Sequence, residues 1–141
     1  MLTPDTLFAL ANPLVLPGWL LLLVAPRWKW SVSLVRGLLV PLLAVGYCAV
    51  ILARFGAVEG GFGSIAQVQL LFADPYMLVA GWVHYLAFDL FIGSWIVEDA
   101  VVRQVPAWLR ISVLPFTFMF GPIGLLLYLA GRTAFGKAKT V

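Results

Sequence analysis

The sequence predicts an all-α integral membrane protein: a bundle of four transmembrane helices with a short interfacial helix between the second and third. Three observations carry that expectation. The chain is 63% hydrophobic and only 11% charged, with a mean hydropathy of +1.05, whereas a soluble domain carries about 25% charged residues. The polar surface needed to cover a water-soluble globule is missing, and a bilayer is the alternative solvent. Four apolar segments also reach roughly 20 residues, the length that crosses a hydrocarbon core of about 30 Å at about 1.5 Å per residue. Basic side chains (Arg27, Lys29, Arg54, Arg103, Arg110 and Arg132) flank those segments, where they anchor helix ends at the headgroups.

The first helix is expected over 6–25. Its approach, TPDT, places Thr3 at the N-cap, Pro4 at the first helical position and Asp5 at the positive helix end. Asn12-Pro13 and Pro17 interrupt it, and PRWKW closes it. The second is expected over 32–53, capped by Ser31 or Ser33 and containing Pro41. Gly56, Gly60, Gly61 and Gly63 then mark a loop. Over 64–72, Ile65, Val68, Leu71 and Phe72 share one face, the pattern of a short amphipathic helix lying in the interface. The third helix is expected over 76–97, ending at Glu98-Asp99 with Arg103 as a basic partner, and the fourth over 109–131 with Pro115 and Gly121-Pro122 inside it. Residues 132–141 read as a solvated tail, so the whole chain forms a single transmembrane domain. Trp19, Trp28, Trp30 and Trp108 fit interfacial aromatic belts.

Composition also narrows function. A net charge of +3 is small for a nucleic-acid partner once the membrane is allowed for, so none is expected. The single cysteine, Cys48, excludes an internal disulfide and reads as a small packing residue. Walker, Rossmann, HExxH and G-x-S-x-G patterns are absent, and one histidine cannot build a multi-histidine metal site. No cofactor and no metal are expected. The N-terminus lacks the basic n-region of a signal peptide, so the first apolar run is expected to remain as a helix.

The informative stretch is GWVHYLAFDLFIGSW, residues 81–95, which holds the only histidine, His84, and Asp89. A charged aspartate at mid-membrane costs at least about 2.5–3.5 kcal/mol, so such a residue faces the bundle interior and is a functional candidate. At 100° per residue the two side chains project about 140° apart, so they share no face without a π-bulge. Tyr85, four residues before Asp89, does share its face, with Trp82 on the same stripe, and a Tyr85–Asp89 hydrogen bond is sterically reasonable. The competing reading is structural: polar side chains hydrogen-bond across helices to hold a membrane bundle together. Trp82, Tyr85, Phe88, Phe91 and Trp95 could line a slot for a flat apolar ligand, or pack against lipid. Pro122 frees the carbonyl of Phe118, which must find a donor in His84, Tyr85 or a ligand hydroxyl.

Three runs, AGWVHYLAFDLFIGSWIVEDA, LPFTFMFGPIGLLLYL and GGFGSIAQVQLLFADP, resemble the motifs of the abscisic-acid-deficiency-four-like family, small multi-spanning proteins. The resemblance covers residues 10 to 132. It implies a role in neoxanthin synthesis from violaxanthin, where a 5,6-epoxide opens to an allenic alcohol without net redox. It carries over Trp82, His84, Asp89, Phe91, Gly121, Pro122 and Gly124 as motif positions. The chain shows no plastid transit peptide, which points to a bacterial member in the cytoplasmic membrane and to another carotenoid or isoprenoid as substrate. Epoxide opening needs an acid at the ring oxygen and a base at the departing proton. On this reading Asp89 is the acid and His84 the base, while Trp82, Tyr85, Phe88, Phe91, Trp95, Phe118 and Pro122 bind the substrate.

Two functions follow. One is a membrane isomerase acting on a carotenoid-like isoprenoid. The other is a non-catalytic pigment-binding or assembly subunit. Partners are the lipid bilayer and an apolar isoprenoid ligand, with a homo-oligomer or a larger membrane complex left open. A small transporter is weakest, because four helices without an inverted repeat give little for alternating access.

Overall fold

The computed structural model describes residues 2–137. They form six helices: α1 (Pro4–Val24), α2 (Ser31–Ala57), α3 (Ile65–Ala73), α4 (Pro75–Val102), α5 (Ala107–Phe120) and α6 (Pro122–Phe135). Helices α1, α2 and α4 are long and apolar enough to cross a membrane. Their outer faces carry large apolar side chains in the open: Val45 is 67% exposed, Leu52 88%. A chain that presents this surface is solvated by lipid rather than water.

The N-termini follow cap chemistry. Thr3 Oγ1 accepts from the Thr6 N–H at 3.2 Å and Ser64 Oγ from Gln67 at 3.2 Å. Asp74 Oδ1 accepts from Tyr76 and Met77 at 2.9 and 3.1 Å. Helix α1 runs through Pro13 and Pro17 unbroken. In α2 the backbone widens into a π-turn over Val35–Leu39, with the Val40 N–H reaching back to Val35 O. That turn makes room for the Pro41 ring, which would otherwise press on the Gly37 carbonyl. Ser31 does not cap its own helix; its hydroxyl donates to Leu21 O, at the end of α1, at 3.4 Å.

Helix α4 is the centre. It buries Leu90, Ile96 and Val97 against Val15 and Leu22 of α1, Val35 and Leu43 of α2, Val113 of α5 and Tyr128 of α6. It is longer than expected, so Glu98 and Asp99 lie inside it. Arg36 of the π-turn donates to both Ser94 Oγ and Glu98 Oε2 at 2.8 Å.

The largest departure from expectation is at the C-terminal end. In place of one spanning helix over 109–131 there are two helices of 14 residues each, α5 and α6. Each is about 21 Å long, too short for a core of about 30 Å. They fold back on one another. Gly124 of α6 lies against Thr117, Gly131 against Leu109, and the Phe135 ring against Trp108 at 5.2 Å. The Lys137 N–H then donates to Arg103 O at 2.8 Å, beside the start of the hairpin. The paired positions draw together toward Gly121 and apart from it, as in an antiparallel hairpin. Its turn is Gly121, at φ +31°, a conformation open to glycine and costly for other residues. The described residues therefore hold three helices long and apolar enough to span a membrane and a helical hairpin whose two ends lie at the same end of the bundle.

Other expectations shift with this one. Arg132 belongs to α6, not to a solvated tail, and pairs with Asp99; residues 138–141 of that tail lie outside the described residues. The short helix expected over 64–72 is α3, displaced by one residue. Trp19 is not a belt residue: it is buried, its ring over Gly93, where a Cβ would collide with it. Cys48 is exposed on α2 rather than packed inside.

Two outcomes follow. With Cys48 replaced by serine, Gln104→Cys and Lys137→Cys should react with an impermeant thiol reagent from one face of the membrane, and Glu59→Cys from the other. A fourth spanning helix would put Lys137 on the face of Glu59. The second concerns Asp74. Burial alone would push its carboxyl up, but the Met77 and Tyr76 N–H groups and the Arg54 guanidinium more than offset that and hold it below the usual carboxylate range. A lowered carboxyl stabilises fully above its unfolded value, and loses that contribution as pH falls through the folded one. Asp74→Ala should lower stability by about 1 kcal/mol at neutral pH, and the gap to wild type in detergent melts should close below about pH 4. A gap that does not change with pH would contradict this account.

Candidate functional site

The hairpin turn packs Gly121 against α4 and exposes Phe120 and Ile123 on the apolar outer surface, so in a bilayer its two helix ends lie away from water. The last carbonyls of α5 and the first N–H groups of α6 have no helical partners there. Pro122 is well placed as the first residue of α6, since its missing N–H is one of the orphans anyway. Phe118 O is one of the orphan carbonyls, and the Tyr85 hydroxyl donates to it at 2.9 Å. The donor arrives from α4, on the stripe that also carries Asp89.

Asp89 meets the turn directly. Its carboxyl fills the space a Cβ on Gly121 would occupy, with Oδ2 3.0 Å from that point. The residue is only 8% exposed, and Oδ2 is buried without a hydrogen-bond partner. Among the described residues the ion pairs take Asp74, Glu98 and Asp99, and none reaches Asp89. The Tyr85 hydroxyl lies beside the Asp89 carboxyl, but its one proton is engaged by Phe118 O. The expected Tyr85-to-Asp89 donation is thus redirected. The carboxyl therefore lies against the hydroxyl without receiving its proton.

An apolar cavity of about 660 Å³ opens on the other side of Tyr85, lined by Asn12, Pro13, Trp82, Tyr85, Phe118 and Met119 among others. A second, of about 490 Å³, shares Trp82 and Tyr85 and extends along the α1–α4 seam to Pro4 and Pro75. Such volumes suit small-molecule ligands. Trp82 Nε1 donates to Asn12 Oδ1 at 2.9 Å, and the Trp82 and Tyr85 rings lie 5.4 Å apart. Asn12 was not singled out from the sequence, although an amide in an apolar helix is the kind of signal that finds such a site. Asp89 does not line either cavity; Tyr85 stands between.

The remaining expected site residues are dispersed. His84 is exposed on the α2 side, stacked on Phe88 at 4.4 Å and tilted against Tyr47 at 5.6 Å. The helix around it is regular α, so the 140° projection holds, and His84 and Asp89 are not brought together. Phe91 lies under the Arg36 guanidinium at 5.4 Å. Trp95 packs edge-on to Tyr128 at 5.8 Å and beside Arg132 at 5.3 Å. One slot does not gather these aromatics. The structure joins Trp82, Tyr85 and Phe118, and sets Asp89 and Pro122 behind them. Among the described residues no three His, Cys, Asp or Glu side chains converge as metal ligands would.

The hairpin's base has its own acid. Asp99 accepts from Arg103 Nε at 3.0 Å, Arg132 Nη1 at 2.9 Å and the Tyr128 hydroxyl at 2.8 Å. Every donor is charged or buried, and the set ties α6 to α4. Asp89, ten residues earlier on the same helix, has no such set.

Tyr85→Phe should cost roughly 1–3 kcal/mol by orphaning the Phe118 carbonyl. Gly121→Ala should cost at least about 1–2 kcal/mol from the positive φ alone, and more from collision with Asp89. Phe88→Leu, at an exposed position, should stay within about 0.5 kcal/mol of wild type. Tryptophan-fluorescence melts in detergent check the order; equal effects at all three positions would refute this account of the turn.

The family model described as ABA DEFICIENT 4-like matches residues 6–128 of the chain. No curated protein and no solved structure matches it.

Proposed function

The chain belongs to the ABA DEFICIENT 4-like family, one linked to neoxanthin synthesis, and on that premise we propose that it isomerises a carotenoid-like isoprenoid by proton transfer at Tyr85 and Asp89. The observation that carries the reading is a buried, unpaired carboxyl behind a tyrosine that forms the wall of an apolar groove. The groove runs between α1 and α4 and suits an elongated apolar molecule entering from the lipid. Trp82 and Phe118 supply flat surfaces for a polyene or ring. Asn12 and Tyr85 are polar groups of the groove's wall beside Phe118, and Asp5 lies at its Pro4 end.

In an epoxide-to-allene isomerisation the ring oxygen gains a proton, one ring carbon–oxygen bond breaks, and a neighbouring chain carbon loses a proton. Tyr85 donates to the oxygen and regains its proton from Asp89. The Asp89 carboxylate so formed then takes up the proton lost from carbon, through the same hydroxyl. Protons and electrons balance without a cofactor. His84 lies on another side of α4 and takes no part in this scheme, although the chemistry implied by the family resemblance offers it as the base.

Expression in a host that accumulates epoxycarotenoids tests this. Wild type should convert an epoxide pigment to an isomer of equal mass. Asp89→Asn and Tyr85→Phe should each lower conversion by at least about a hundredfold, the ordinary scale of general acid–base catalysis, while His84→Ala should retain it. An unchanged pigment profile, with pigment co-purifying from wild type and Asp89→Asn alike, would instead support the binding-subunit reading.

A further inference from the structure

At the bundle end where α1 and α4 finish and α5 begins, a cavity of about 740 Å³ is lined by Arg27, Arg110, Gln104, Trp28 and Ala107 together with apolar side chains. Among the described residues no acidic side chain lines it. The other four arginines, Arg36, Arg54, Arg103 and Arg132, are partly exposed and each pairs with Asp74, Glu98 or Asp99.

Arg110 is the deeper of the two cations, at 8% exposed. Its Nη1 donates to the last carbonyls of α1, Leu22 O at 3.2 Å and Leu23 O at 3.4 Å. That bond caps a helix end but does not neutralise the charge. Arg27 lines the same cavity, and the two like charges repel. The first turn of α5 adds to the field. Pro106 caps it without a side-chain acceptor, and the Ala107 and Trp108 N–H groups are orphans at the positive end of a 14-residue helix. Two guanidinium groups and the α5 N-terminus thus face one space in which the opposing negative charge is only the partial charge on the carbonyl ends of α1 and α4.

We infer that this cavity binds a phosphate-bearing anion, with Arg27 and Arg110 as its charged contacts and the start of α5 as its backbone contact. Guanidinium forks and helix N-termini both favour phosphate oxygens. Basic pockets between membrane helices at the headgroup level hold anionic lipid headgroups in this way. The apolar walls, Val24 and Val101 among them, suit the glycerol and upper acyl segments of a phospholipid; a free phosphate would use the charged contacts alone. The site lies at the opposite end of α4 from the Pro75 end of the groove, and does not depend on the isomerase reading.

Purified full-length protein in neutral detergent tests it. Thermal unfolding is followed with phosphatidylglycerol, phosphatidylcholine or inorganic phosphate added, for wild type, Arg27→Gln, Arg110→Gln and Lys29→Gln. Phosphatidylglycerol should raise the melting temperature above phosphatidylcholine, and Arg27→Gln should weaken the titration roughly tenfold or more, the loss expected for one charge-assisted contact. Lys29→Gln, whose ammonium lies over Trp30 and outside the cavity lining, should titrate like wild type. Arg110→Gln also frees two carbonyls, so its melting point falls without ligand; the Arg27 variant carries the decision where that variant does not fold. Inorganic phosphate that reproduces the whole shift at millimolar concentration assigns the site to a free ion; a shift confined to the lipid assigns it to a headgroup. Equal melting points in both lipids and in phosphate, or equal losses in the Arg27 and Lys29 variants, would overturn the proposal.

Discussion

The structure turns on a reversal of chain direction against the apolar flank of α4. Two helices of 14 residues cannot cross a bilayer singly, so the chain between them must turn where no water reaches. A turn there exposes carbonyls and N–H groups that hydrocarbon cannot satisfy. The rest of the bundle is arranged around that problem. Glycine occupies the turn, proline takes the first position of the returning helix, and small side chains let the arms touch. Helix α4 supplies the polar groups from outside the hairpin. It meets the tip with Tyr85 and Asp89 and the base with Asp99.

Those two aspartates share a helix and differ in what surrounds them. Asp99 has two guanidinium groups and a phenol, so its charge is matched and its role is to hold. Removing one partner of such a buried set is costly because the other charges stay behind. Asp89 has a glycine turn and a tyrosine oxygen, and no cation among the described residues. Stability gives little reason to keep a carboxyl in that position, since an amide or apolar side chain would avoid the desolvation cost. Within one helix, the matched acid accounts for the architecture and the unmatched one is the group that the proposed chemistry uses.

How much of this the sequence held depends on which property it encodes. Helix caps are local, and Thr3, Ser64 and Asp74 behave as their side chains require. The angle between His84 and Asp89 is also local, and the faces they occupy follow from 100° per residue. The freed Phe118 carbonyl was legible from Pro122, and Tyr85 was among its candidate donors. Direction was not legible. Hydropathy counts apolar length, and 109–131 has the length of a span whether it continues or folds back. Gly121-Pro122 could mark a kink or a turn. The deciding fact is that Arg132 meets Asp99, which a spanning helix would place on the opposite face. That contact joins residues 33 apart in sequence, and no periodicity within either segment reveals it. The spread of the aromatics has a related reason: Trp82, Phe88, Phe91 and Trp95 are close in sequence but point around α4 to different neighbours.

The separation of His84 from Asp89 bears on the proposed chemistry. Acid and base need not be different residues in an isomerisation, because the reaction returns the proton it consumes. A buried carboxyl coupled to a phenol can give a proton and recover one, provided the oxygen and the C–H of the substrate reach the same hydroxyl in turn. In an epoxide that opens toward its own side chain those atoms are only a few bonds apart, so a small rocking of the ligand in the groove would serve both transfers. Exclusion of water matters as much as the two side chains, because a cation formed on ring opening would otherwise be captured by hydroxide or water. The hairpin tip supplies that exclusion at the same place where it presents Asp89. The feature that makes the turn difficult to build, polar groups confined away from water, is also what acid–base work on an apolar substrate requires.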